Sequence, residues 1–334
     1  MRAWRLPRLG DPWTELAAVE AAEPPAKEAA SVRSDAVVVR VEATDLNFAD
    51  ILQCRGQYQV RHEVPFTPGM NATGTVVDSS PDSPHRTGER IVGPTVAPWG
   101  GFAECAVLAG DLAHPVPDGV ASIDAMAAHI TFGTAWFALH HRGRLQPGET
   151  VLVLAGAGGV GSATIRLARA HGCWVAAAAG GSEKVAICRE LGADAVIDYE
   201  AEDLYATVME LTAGRGVDVI FDPVGGDWSD TARRLLAWEG RLLVIGFASG
   251  RIPSAPANHV LVKNYAVIGV HMGGYRERRI DLVRKCYADL HGQLERGEIK
   301  PFVSKVIDFD AVPQALRRLA ERRTTGRVVF DPHR

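Results

Sequence analysis

No two of the five cysteines, at 54, 105, 173, 188 and 286, stand three residues apart, so the chain has no Cys-x-x-Cys pair. An odd, scattered set argues against a disulfide framework and reads as reduced thiols in a reducing compartment, each a small buried hydrophobe. No run reaches the roughly 18 uninterrupted apolar residues of a membrane span. Met1-Arg-Ala-Trp-Arg-Leu-Pro7 lacks the apolar core of a signal peptide, so the expected location is cytoplasmic. Long basic runs are also absent, and 36 Lys and Arg against 40 Asp and Glu leave a formal charge of −4. Nucleic acid and anionic membrane are therefore not expected partners. There is no Gly-x-Ser-x-Gly nucleophile elbow. No Tyr-x-x-x-Lys stands near a usable serine, which removes the catalytic logic of short-chain reductases.

What remains is an ordinary globular composition, 334 residues with 47% hydrophobic and 23% charged, enough for two domains. The most informative stretch is Thr150 to Gly172, TVLVLAGAGGVGSATIRLARAHG. Its apolar start predicts a strand, its glycines a turn, and the remainder a helix. Gly156-x-Gly158-x-x-Gly161 is the dinucleotide-binding spacing. The first glycine makes a tight turn, the second admits a pyrophosphate to the backbone, and the third brings helix close to strand. With Gly159 and Val160, these residues place the positive end of a helix against phosphate.

The chain before residue 128 reads as β-rich, with strands expected at Ala36–Ala43, Gly74–Val77, Arg90–Gly93 and Phe102–Leu108. Ala22 to Lys27 reads as a surface connection and Ile123 to His141 as helical. Beyond Thr150, strands at Trp174–Ala178, Ala195–Tyr199, Val217–Asp222, Arg241–Phe247 and Ala266–His271 alternate with helices at Ser182–Leu191, Leu204–Thr212, Trp228–Trp238 and Asn258–Lys263. That alternation predicts a doubly wound, six-stranded parallel Rossmann sheet. A long helix, Arg276–Arg296, is expected next, then a strand Phe302–Ile307, a helix Ala311–Glu321 and a last strand Arg327–Phe330. The expected division is 1–127 with 275–334 as a β-rich body, and 128–274 as an inserted nucleotide domain.

Ten segments, that glycine turn among them, carry a resemblance over the whole length. They are Asn47-Phe-Ala-Asp50, Gly56-Gln-Tyr58, Pro68-Gly69, Gly88-Glu-Arg90-Ile-Val, Gly101-Phe-Ala-Glu104, Pro147-Gly-Glu-Thr150, the Gly-Ala-Gly-Gly-Val-Gly turn, Leu191-Gly-Ala-Asp194, Asp222-Pro-Val-Gly225 and Thr324-Thr-Gly-Arg327. The chain resembles the zinc-free quinone oxidoreductase (zeta-crystallin-like) branch of the medium-chain dehydrogenase/reductase superfamily. The resemblance implies a GroES-like β domain beside the Rossmann domain, an active site in the cleft between them, and NADPH-dependent reduction of quinones or activated alkenes.

Zinc relatives supply a Cys near the Asn47 segment and a Gly-His-Glu at the Pro-Gly segment. Here these read Ala43-Thr-Asp-Leu-Asn47 and Pro68-Gly-Met-Asn71, and the four-cysteine structural loop is missing, so no metal is expected. Asp45, Cys54 and His62 form only an improvised alternative. Asn71 also replaces a Glu that zinc-free relatives usually keep.

An NAD-preferring site places Asp or Glu at the end of its second strand. That segment reads Trp174-Val-Ala-Ala-Ala-Ala-Gly180-Gly181-Ser182-Glu-Lys184, with no acid at the strand end. Gly180 and the small residues around it leave room for a 2′-phosphate, with Lys184 and Ser182 as its expected partners and Glu183 turned to solvent. By the resemblance, Tyr199 and Arg322 complete the phosphate pocket, Thr134 lies near the cofactor, and Phe247 and Ala248 serve the nicotinamide half. NADPH is the expected cofactor.

Hydride transfer to a conjugated acceptor leaves an enolate-like oxygen that needs a donor. Asn47 and Tyr58 match the polar residues of the family's cleft. Asn47 could bond ribose or substrate, or merely cap a helix, and Tyr58 could donate to the oxyanion or merely shape the pocket. A 2-enoyl-thioester reductase and a non-catalytic NADPH-binding protein are the competing readings. Family members commonly pair through the edge strand, so a homodimer through Ala266–His271 is expected.

Overall fold

The computed structural model describes residues 1–334. The chain divides into two compact units, Met1–His129 with Val303–Arg334, and Ile130–Phe302.

In the first unit, Ala36–Asp45 is the central strand of a seven-stranded sheet. It pairs antiparallel with Asn71–Ser79, Cys105–Ala109 and Arg327–Phe330, so the C-terminal strand is built into the N-terminal body. Val303–Ile307 adds in parallel to Arg327–Phe330 at one edge. Val37, Val39, Val41, Ala72, Val76, Ile91, Ala106 and Leu108 fill one core. The intervening Ala36 and Val38 are buried in a second cluster, so this strand is covered on both faces over its first half.

The second unit is built on six parallel strands. Their spatial order is Ala195–Asp198, Trp174–Ala179, Thr150–Leu154, Val217–Asp222, Leu236–Val244 and Ala266–Gly269. Val151 to Leu154 are buried throughout, as a strand covered on both faces requires. Helix Gly159–Ala170 follows the first of these strands, and Ile165, Leu167 and Ala168 on it are buried. The first unit is thus a β-rich domain built from both ends of the chain, and the second a Rossmann-type α/β domain.

Several boundaries differ from the sequence reading. Helix Trp228–Trp238 is replaced by Gly226–Ala232, and the next strand begins at Leu236 instead of Arg241. Leu236 is captured by Val217 across the sheet, and a bulge between Val217 and Val219 then restores register. The long helix splits into Met272–Arg278 and Ile280–Glu295 at Arg279, whose φ of −146° and ψ of 60° are not helical. A hairpin of Arg2–Arg5 and Ala17–Glu20 was not expected, and helix Ala26–Val32 begins inside the expected connection. The strand expected from Phe102 starts at Cys105, because the Phe102 N–H turns away to the Pro68 carbonyl.

Candidate functional site

The strand order of the parallel sheet reverses at Thr150–Leu154, whose neighbours Trp174–Ala179 and Val217–Asp222 lie on opposite sides. Ligands of such sheets bind beyond the carboxyl ends of the strands at this point. The loops there carry most of the residues singled out in the second unit.

The glycine turn is shaped by contact. A Cβ on Gly156 would lie 2.9 Å from both the Ala177 Cβ and the Cys188 Sγ. One on Gly161 would lie 2.2 Å from the Ala155 carbonyl oxygen. Around Gly158 the same test meets only the Ala155 oxygen, at 3.2 Å, so its outer face is open. Gly158 is the N-cap of helix Gly159–Ala170, and no side chain caps it. The first N–H groups of this helix, including those of Gly159 and Val160, are left to an external acceptor. An anionic group fits that cradle by the helix's orphan donors and dipole.

At the end of Trp174–Ala179, Gly181 takes a left-handed φ of 84° and opens helix Ser182–Glu190. Ser182 and Glu183 are exposed and Lys184 is half-buried. Tyr199 lies over the same turn, since a Cβ on Gly180 would meet its ring at 2.6 Å. Its ring packs on Trp228 at 4.4 Å between centroids. Glu200, unmarked in the sequence, stands here too: its carboxylate oxygen would lie 2.6 Å from that same Cβ. No acid ends the second strand, as expected, but one arrives there from the third.

At the end of Val217–Asp222, buried Asp222 accepts from the N–H groups of Val224 and Gly225 at 2.8 and 2.9 Å, and Ser229 Oγ donates to its other oxygen. The loop so fixed holds its neighbour: Ala248 N–H donates to the Pro223 carbonyl at 3.1 Å and Ser249 N–H to that of Val224 at 2.8 Å. Phe247 is exposed. Asp222 and Ser229 are thus positioning residues for the Phe247–Ala248 loop. Asp222 was legible as part of its motif, whereas Ser229 carried no sequence signal. Thr134 lies half-buried on helix Ser122–Trp136.

Asn47, Tyr58 and Arg322 belong to the first unit. Asn47 is the N-cap of helix Phe48–Cys54. Its N–H donates to Asp50 at 2.7 Å, its Nδ2 to Asp45 Oδ1 at 2.9 Å, and its Oδ1 accepts from Arg327 at 2.9 Å. Arg327 also pairs with Asp45, and Met70 N–H donates to Asp50 at 2.9 Å. Asp50 is fully buried. That burial, then the charge of Asp45, pushes its carboxyl up to about 7, against the lowering pull of the Asn47 and Met70 N–H groups and of Arg327. Tyr58 is half-buried just beyond the helix, and Arg322 is exposed with a left-handed φ of 58°.

The donors that zinc would need do not converge. Asp45 is committed to Arg327, and His62 Nε2 is bonded to the Gln53 amide at 3.1 Å. Cys54 is buried against Leu6 and Phe66, and burial pushes its thiol up. No group of three or more His, Cys, Asp or Glu side chains could hold a metal ion. This donor set does not fit zinc.

Comparison with known proteins agrees with the architecture. Residues 33–118 match the alcohol dehydrogenase GroES-like domain, and residues 159–286 match the zinc-binding dehydrogenase family. Quinone oxidoreductase-like protein 2 of Bos taurus is 38% identical over 302 residues, covering 90% of this chain and 86% of its own. The quinone oxidoreductase of Thermus thermophilus, solved also as its NADPH complex, is 34% identical with a TM-score of 0.82, covering 99% of this chain and 100% of that one. Mycobacterial Rv1454c complexed with NADPH is 29% identical with a TM-score of 0.88 and the same coverage. The chain belongs to the quinone oxidoreductase-like (zeta-crystallin-like) branch of the medium-chain dehydrogenase/reductase superfamily.

Proposed function

We propose that this protein is a zinc-independent, NADPH-dependent reductase that passes a hydride to a quinone or a conjugated enone. The observation that carries the reading is the glycine cradle under an uncapped helix N-terminus at the sheet's switch point. A quinone oxidoreductase solved also as its NADPH complex, a second structure complexed with NADPH and a quinone oxidoreductase-like relative support it.

In this reading Gly156, Gly158, Gly159, Val160 and Gly161 hold the pyrophosphate. Ser182 and Lys184, beside Gly180 and Tyr199, bind the adenosine ribose phosphate, and Arg322 joins them on the family pattern. Thr134 and the Phe247–Ala248 loop orient the nicotinamide half. When bound, NADPH supplies the hydride. Tyr58 donates a hydrogen bond to the acceptor oxygen as charge develops on it, and Asn47, held by Asp45 and Arg327, orients the acceptor or the ribose. Water or Tyr58 delivers the proton to the reduced acceptor.

The competing acceptor is an enoyl thioester. The two are separated by kcat/KM for a naphthoquinone, an alkenal and a crotonyl thioester measured side by side. The proposal requires the quinone or alkenal to win, and requires Tyr58→Phe to lower kcat more than it raises KM. A thioester preference moves the function to enoyl reduction.

The protein is also proposed to pair as a homodimer through strand Ala266–Gly269, an edge of the parallel sheet. Around that edge Leu261, Val262 and Trp238 are 75%, 71% and 64% exposed, more apolar surface than a lone edge is normally left with.

A further inference from the structure

We infer that Glu200 sets the cofactor choice of this site: its carboxylate hydrogen-bonds the adenosine 2′-hydroxyl of NADH and opposes the 2′-phosphate of NADPH, so that the site takes both. This rests on the dinucleotide reading above and concerns a residue that reading does not use.

Rossmann sites meet the ribose at the turn after their second strand, here the turn after Trp174–Ala179. A side chain on Gly180 would approach Glu200 Oε1 to 2.6 Å, and one on Gly181 would lie 3.6 Å from Glu200 Oε2. Both oxygens of this acid therefore stand over the turn. Its backbone is anchored there as well. Asp198 Oδ1 accepts from the N–H of Gly181 at 2.9 Å and from that of Glu200 at 3.1 Å, clamping the two strand ends together. Tyr199 N–H adds a bond to the Ala179 carbonyl at 3.2 Å. Asp198 Oδ1 is engaged by this clamp, and of the nearby acids it is Glu200, exposed like Glu183, whose oxygens reach both Gly180 and Gly181.

Chemistry then sets two opposing preferences. A ribose 2′-hydroxyl is a donor that a carboxylate accepts well, whereas a 2′-phosphate beside the same carboxylate is a like-charge contact. Lys184, half-buried in the first turn of helix Ser182–Glu190, favours the phosphate. One acid and one base at the same position cancel much of each other's selectivity. The residue count explains why the sequence hides this: the acid follows Gly180 by a whole helix and strand, so a search at the end of the second strand passes it by.

The test is binding, independent of turnover. Dissociation constants for NADPH and NADH are measured by nicotinamide fluorescence on wild type, Glu200→Gln and Lys184→Gln, and by calorimetry for adenosine 2′,5′-bisphosphate and 5′-AMP. Wild type is expected to hold the two dinucleotides within roughly tenfold of each other. E200Q is expected to raise the preference for the 2′-phosphate by on the order of tenfold, and K184Q to reverse it. Each ratio is taken on a single protein sample, so a loss of folded protein cannot mimic it. An unchanged ratio in E200Q, or wild type rejecting NADH by more than about a thousandfold, overturns the assignment of Glu200 while leaving dinucleotide binding intact. Wild type binding neither dinucleotide overturns both readings.

Discussion

Gly161 stands against the carbonyl oxygen of Ala155, leaving 2.2 Å where a Cβ would have to go. Ala155 itself has a left-handed φ of 52°. The turn is thus closed by backbone on both sides, which side-chain rearrangement cannot relieve. Gly161→Ala is expected to destabilise the fold by about 1–3 kcal/mol and to weaken dinucleotide binding, since any shift opens the helix N-terminus. Chemical denaturation and NADPH titration of the variant check both effects. Unchanged affinity would separate this turn from the ligand.

Asp50 keeps its proton in the native state up to about 7, whereas the unfolded chain releases it near the ordinary 3.8. The native state then binds more protons between these values, so this group's contribution to stability falls as pH rises through that window. Asp50→Asn removes the slope. Urea unfolding of wild type and D50N between about pH 4.5 and pH 8 is expected to show D50N comparatively more stable at the alkaline end.

His140 acts in the opposite sense. Burial, then the charge of His171, with ring centroids 4.8 Å apart, holds its imidazole down to about 4 against the raising effect of Asp289. The native ring stays neutral while the unfolded chain takes up a proton below the ordinary 6.5, so stability is lost as pH falls from there towards 4. The Asp50 and His140 slopes oppose each other over much of one pH range. His140→Gln should expose the Asp50 slope, D50N the His140 slope, and the double variant neither. Equal pH profiles for all four proteins would contradict this coupling to protonation.

The exposed apolar residues beside Ala266–Gly269 predict an association that charge would block. Leu261, on helix Ala257–Lys263, is 75% exposed. Leu261→Asp should leave the melting of the monomer fold unaltered and shift the sedimenting mass from dimer to monomer. A wild type that sediments as a monomer at all concentrations would remove the edge-pairing proposal.

Much of this architecture is legible in the sequence because its signals are local. The Val151–Leu154 run, the three glycines and the helix after them are contiguous, and burial on both faces leaves a continuous apolar strand. Boundaries set by distant partners were hidden. Nothing near Leu236 announces its pairing with Val217, and no Pro or Gly marks the break at Arg279. The site divides the same way. Gly180, Ser182 and Lys184 follow their strand directly. Glu200 and Ser229 enter from other elements, so only the folded chain brings them to the turn and to Asp222.

The most direct test of the central claim is NADPH oxidation followed at its absorbance band with a benzoquinone or naphthoquinone, with and without a metal chelator. The account predicts quinone-dependent oxidation, stoichiometric in hydroquinone and indifferent to the chelator. Tight NADPH binding without turnover of quinone, enone or thioester would contradict it and identify a binding protein on a reductase scaffold. Turnover abolished by the chelator would contradict the zinc-free mechanism.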